Sequence, residues 1–191
     1  MATTTRTSAD AIEFLTTQHR RVEQLWSALE SARTSDSDLQ NEHARAIVKL
    51  LSQHDAIETQ LLYPELRDSA GDAGKELSDH SLQEHQRVRE LLAQVDGEDV
   101  RTPGTYGTLS QCVTDVNRHV AEEESTIFPL LRQYCTSDRL DDLGRRMAEM
   151  MDTAPTHPHT KMPSSKAGAT IAGAVAGAVD KARDAARDDE S

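Results

Sequence analysis

Apolar residues recur every three or four positions through most of the chain, in four runs. The first holds Ile12, Leu15, Val22, Trp26 and Leu29, and the second Ile47, Leu51 and Leu61. The third holds Leu77, Val88, Leu92 and Val95, and the fourth Leu109, Val113, Val116, Ile127 and Leu130. That spacing places each run on one face of a helix. No stretch alternates apolar and polar residues between turn signals, as a strand would. The runs predict helices over about 8–34, 38–69, 72–95 and 103–135, with a short fifth over 137–151. Ser8 or Asp10 caps the first, Gly71 and Gly97 end the second and third, and Pro103 opens the fourth. Four such helices with short connections make an all-α fold, an antiparallel up-down four-helix bundle over residues 8–151.

The flanking segments follow no such pattern. Residues 1–7 are expected to be disordered. Residues 152–166 carry three prolines and read as a linker. Residues 167–191 are Ala/Gly-rich and then charged, a flexible tail or a marginal helix whose protein partner the sequence does not name. The apolar run from Ala167 to Val179 is too short to span a bilayer, so no stable membrane insertion is expected.

Charge and cysteine usage narrow the class. With 21 Lys+Arg against 33 Asp+Glu, the net charge of −12 argues against a nucleic-acid binder, which needs a basic face. Cys112 and Cys135 make no disulfide framework, and no secretory segment follows Met1. A reduced, cytoplasmic protein is the expectation.

The chemistry lies where the apolar runs are interrupted. His19, His54, His85 and His119 all stand on the core faces, as do Glu58 and Glu123, each four residues after a histidine. Four residues turn a helix by about 40° and rise about 6 Å, so each His–Glu pair projects the same way. One buried histidine is ordinary. Four of them with two buried glutamates are not, because a buried carboxylate costs several kcal/mol unless it is paired or binds a metal. No Lys or Arg lies on these faces to pair with them, so a bound cation is the expected partner. The chain also repeats itself. HDAIETQLLYP from His54 and HVAEEESTIFP from His119 each carry His, Glu, an aromatic and Pro at the same spacing. His19 and His85 precede them by 35 and 34 residues. Two hairpins, each with two histidines and one carboxylate, suggest two metals bridged by the carboxylates. Pro64 and Pro129 are expected to kink or loosen their helices beside the site.

These motifs resemble the hemerythrin-like, HHE cation-binding family. The resemblance rests on His19, on His54-x-x-x-Glu58 followed by LLYPEL, on EHQRVRELL around His85, and on His119-x-x-x-Glu123 followed by IFPLL. It covers about residues 8–135. It implies a four-helix bundle around a non-haem di-iron centre with an oxo, hydroxo or water bridge. His19 and His54 would ligate one iron, His85 and His119 the other, and Glu58 and Glu123 would bridge them. Two departures from the oxygen carriers of the family stand out. Ser81 replaces a further histidine, and the last carboxylate is Glu123, four residues after His119, rather than an aspartate five after. The resulting centre would have an open position. His80 lies about 140° round the helix from His85 and reads as exposed. Tyr63 and Tyr106 read as core or loop residues, His157 and His159 as linker residues, and Glu122 and Glu124 as a solvated face.

The ferritin-like alternative uses Glu-x-x-His, and no histidine here has a glutamate three residues before it. Zinc is disfavoured because neither cysteine joins the constellation, whereas imidazole and carboxylate suit iron and also manganese. Two readings of function stay open. One is a di-iron protein that turns over peroxide, O2 or nitric oxide under oxidative or nitrosative stress, with no separate catalytic residue assigned. The other is an iron- or O2-binding sensor or storage module without turnover.

Overall fold

A computed structural model describes residues 9–33, 37–161 and 176–185. Helix α1 spans Ala11–Ala32 and is capped by Asp10, whose carboxylate accepts from the Ile12 and Glu13 backbone N–H groups at 2.9 Å. Helix α2, Ser37–Ile57, runs through a π turn at Glu58–Leu62 straight into α3, Tyr63–Val95. α3 is broken at Gly71, where φ is +59°, a backbone conformation that side chains resist. Residues 63–70 thus continue α2, and 72–95 form the third helix of the bundle. Helix α4, Pro103–Glu122, passes through a second π turn at Glu123–Ile127 into α5, Phe128–Tyr134. Helix α6, Ser137–Met151, packs on α1. Residues 176–185 form a last helix, α7. No strand occurs among the described residues, and no helix there is long and apolar enough to cross a membrane. The fold is the expected all-α bundle with its short fifth helix. The segment 1–7, and residues 167–175 and 186–191 of the tail, lie outside the described residues.

The π turns shift the predicted pattern by one residue. The Tyr63 N–H bonds to the Glu58 carbonyl and the Phe128 N–H to the Glu123 carbonyl, each five residues back. The next residues, Pro64 and Pro129, have no N–H to donate, and their rings would crowd the carbonyl four residues back. A wider turn relieves both problems. Beyond it the inward positions move on by one. Leu62 and Leu131 are fully buried where Leu61 and Leu130 were expected, and those two are only partly covered.

The core is divided in two. One apolar cluster gathers Leu25, Leu29, Ile47, Leu51, Leu92 and Leu109. The other gathers Leu15, Ile57, Leu62, Leu66, Ile127 and Leu131, closed over by Leu143 and Met147 of α6. Between them lies a layer of buried polar side chains.

Candidate metal centre

That layer contains all six residues expected from the sequence. Glu58 and Glu123 are completely buried, and His19, His54, His85 and His119 are at most 6 % exposed. Each glutamate faces two histidines from different helices. Glu58 places Oε1 3.1 Å from His54 Nε2 and Oε2 3.3 Å from His85 Nε2. Glu123 places Oε2 3.4 Å from His19 Nε2 and Oε1 3.5 Å from His119 Nε2. Both carboxylates therefore span the halves marked by His19/His54 and by His85/His119, as a bridge requires.

The four imidazoles are held from outside by a closed ring of hydrogen bonds. His54 Nδ1 meets Gln18 Oε1 at 2.8 Å, and His85 Nδ1 meets Asp55 Oδ1 at 2.7 Å. His119 Nδ1 meets Glu84 Oε2 and His19 Nδ1 meets Glu124 Oε1, both at 2.9 Å. Every acceptor sits directly beside a predicted site residue in sequence yet serves the histidine of the next helix. α1 holds α2, α2 holds α3, α3 holds α4, and the second π turn holds α1. One residue along a helix is a turn of about 100°, which aims the neighbour of an inward side chain at the adjacent helix. With Nδ1 donating outward, each Nε2 faces inward, the arrangement found around metal-ligating histidines. Three acceptors are also paired with arginine. Asp55 takes Arg89 at 2.6 Å, Glu84 takes Arg118 at 3.2 Å, and Glu124 takes Arg20 at 2.6 Å.

Nitrogen and oxygen ligand atoms thus converge in a small volume. His85 Nε2 and His119 Nε2 stand 3.0 Å apart. His19 Nε2, Glu58 Oε1 and Glu123 Oε2 are buried and make no directed hydrogen bond, only the ion-pair contacts given above. The electrostatics have one direction. Burial opposes the charged form of every group here, but the surrounding carboxylates prevail at the histidines: His19 and His85 are raised above the ordinary imidazole range, and His119 well above it. Glu58 is likewise driven well below the usual carboxylate range by His54 and His85 despite its burial. Glu123 is lowered by His119 and His19, although burial and the Glu58 charge both oppose it. The layer attracts positive charge, and the residues fit a cation in each half. The ligand atoms of His19, His54, Glu58 and Glu123 all lie within 4.8 Å of one another, as do those of Glu58, His85 and His119.

One further group enters the layer. The Tyr63 hydroxyl, expected to be a core bystander, lies 2.9 Å from His85 Nε2, 3.3 Å from His119 Nε2, 3.3 Å from Glu123 Oε1 and 3.5 Å from Glu58 Oε2. Ser81, the residue standing where a histidine was noted as missing, is itself buried. The place of Tyr63 in the repeat was legible, as the aromatic between Glu58 and Pro64, but its direction depends on the π turn. Glu124, expected on a solvated face, is instead a member of the ring. His80 stays outside, exposed and 3.4 Å from Glu122. Tyr106 lies far off against Glu30 and Arg33. Cys112 belongs to an apolar cluster, and Cys135 lies beside Glu65.

Comparison with known proteins agrees with this geometry. Residues 10–131 match the hemerythrin HHE cation-binding domain. An uncharacterised hemerythrin-like protein of Schizosaccharomyces pombe is 25% identical over 155 residues, covering 81% of this chain and 75% of its own length. A DNA nickase of Nostoc is 28% identical over 124 residues, covering 64% of this chain but only 34% of the nickase. The crystal structure of a hemerythrin HHE cation-binding domain-containing protein from Mycobacterium kansasii superposes with a TM-score of 0.62. It covers 75% of this chain and 86% of that one at 24% identity, a likeness of fold.

Proposed function

We propose that this chain, which belongs to the hemerythrin HHE cation-binding family, holds two iron ions and reacts with a small oxidant: peroxide, O2 or nitric oxide. The observation that carries the reading is the convergence of four histidines and two fully buried glutamates, with His19 Nε2, Glu58 Oε1 and Glu123 Oε2 making no directed hydrogen bond, in a layer where the one buried arginine among the described residues, Arg89, is taken by Asp55. His19 and His54 would hold one iron and His85 and His119 the other, with Glu58 and Glu123 between them. Such a pair would supply redox-active Lewis-acid chemistry toward a small oxidant. Nitrogen and oxygen donors suit iron, and manganese is the second choice.

The chain's own residues do the rest. The ring of Gln18, Asp55, Glu84 and Glu124 fixes each imidazole with Nε2 inward. Tyr63 supplies an oxygen at the His85/His119 half, taking the role of the missing histidine. The apolar clusters on either side limit water. Phe128 stacks on His19 with ring centres 5.8 Å apart, and it brings no ligand atom. A coordination position left open there would be where a small molecule binds. Free thiols at Cys112 and Cys135 suit a reducing cytoplasm.

The test is metal content with the absorption spectrum of the purified protein, beside Glu58→Ala. About two irons per chain, with near-ultraviolet charge-transfer bands lost in the variant, support the reading, and peroxide turnover assays follow. A metal-free protein whose stability is unchanged in the variant overturns it. One observation favours sensing without turnover: Met151, at the end of α6 and just before the segment on which α7 docks, accepts from Gln18, the residue that holds His54. Reversible O2 binding with no consumption of peroxide selects that reading.

A further inference from the structure

The four histidines are not held alike. His19, His85 and His119 each donate to a carboxylate, and each carboxylate is backed by an arginine. His54 donates to the neutral amide oxygen of Gln18. The Gln18 amide nitrogen donates in turn to the Met151 thioether sulfur at 3.2 Å, which fixes the oxygen toward His54. A carboxylate on Nδ1–H pushes electron density onto Nε2 and strengthens it as a ligand, whereas an uncharged amide does so less. A second asymmetry acts the same way. Tyr63 adds an oxygen to the His85/His119 half, while Phe128, its counterpart in the repeat, adds none to the half of His19 and His54.

From these two differences we infer that the metal positions fill in order. The His85/His119/Tyr63 position binds first and retains its metal. The His19/His54 position binds second and exchanges, and Gln18 is the positioning residue that sets its weaker affinity. The inference rests on the two-metal reading above. Gln18 touches no metal in this scheme and acts only through His54. Gln18→Glu preserves its shape while giving His54 the carboxylate that the other three histidines have.

The experiment titrates the metal-free full-length protein with Co(II), following heat and the visible spectrum. Two steps are expected. Gln18→Glu tightens the weaker step by about tenfold or more and leaves the first step and its spectrum unmoved. Tyr63→Phe weakens the tighter step alone. If only one Co(II) binds, loss in His119→Ala but not in His54→Ala supports the order, and the reverse overturns it. Two equal steps in the unaltered protein, or a Gln18→Glu effect on both steps alike, also overturn it while leaving the two-metal reading intact. No binding at all, or binding unaffected by both His54→Ala and His119→Ala, overturns the two-metal reading itself.

Discussion

Tyr63 and Phe128 hold equivalent places in the repeat, each nine residues after a histidine of the layer and one before a proline, yet only Tyr63 brings an oxygen to it. In an unbroken α-helix the ninth residue lies about 180° from the first, facing away. The π turns at Glu58–Leu62 and Glu123–Ile127 take up one residue and bring both aromatics back toward the layer. The same backbone device thus serves both halves, and the side chain it delivers makes them chemically different.

Tyr63→Phe tests that difference directly. Burial and the carboxylates of Glu58 and Glu123 push the Tyr63 hydroxyl well above the ordinary phenol range, so without metal it stays protonated. A cation at the His85/His119 position reverses this by stabilising the phenolate. The iron-loaded protein is expected to show phenolate-to-iron absorption in the visible that disappears in Tyr63→Phe. An identical spectrum in the variant would remove Tyr63 from the centre.

Metal removal and pH are coupled with a definite sign. In the metal-free protein the raised His19, His85 and His119 contribute stability that is present below the ordinary imidazole value and lost as pH rises through their folded values. The lowered Glu58 and Glu123 contribute stability that is present above the ordinary carboxylate value and lost as pH falls through theirs. Metal binding needs the histidines neutral, so its contribution grows in the opposite direction to theirs. Thermal midpoints of the metal-free and metal-loaded forms are expected to diverge as pH rises from 6 to 8. Parallel curves would show that metal and protons do not compete at these histidines.

The sequence shows the frame and the inward-facing ligands because both follow from helical spacing. Gly71 and Asp10 were legible because a positive φ and a free first turn each select particular residues. The shift from Leu61 to Leu62 and from Leu130 to Leu131 was not, because a π turn alters rotation without altering composition. Gln18, Asp55, Glu84 and Glu124 were hidden for a different reason. Each lies beside a recognised residue but points to another helix, and only the packing shows which one. His157 and His159 read as linker residues for want of any pattern around them. In the structure His157 lies between Asp96 and Asp184, 3.0 Å from each, and His159 lies 3.1 Å from Asp180.

The two cysteines should differ in reactivity. Burial, with a smaller push from Asp115, raises the Cys112 thiol to about 12, and its side chain is sealed in the apolar cluster. Burial raises Cys135 too, but that thiol is partly exposed beside Glu65. Since the thiolate is the reactive form, iodoacetamide at pH 8 is expected to label Cys135 slowly and Cys112 only on unfolding. Mass spectrometry of the labelled native protein checks this, and equal labelling at the two sites would contradict the packing of Cys112.

α7 docks through a contact that one methyl group would break. A Cβ on Gly177 would come within 2.1 Å of the Thr153 carbonyl oxygen, a backbone atom with little room to yield. Nearby, the buried Asp180 carboxylate accepts from the Thr156 and His157 N–H groups at 2.9 and 3.0 Å, which fixes the register of the helix. Gly177→Ala adds helix propensity of about 1 kcal/mol, so loss of docking in that variant would not come from a weaker helix. Hydrogen exchange is expected to speed up at 154–159 and 176–185 while the amides of α1 to α4 stay protected. If Met151 carries the position of the tail to Gln18, the weaker Co(II) step also shifts in this variant. If the tail is only an appendage, exchange at its docking segment changes and the titration does not.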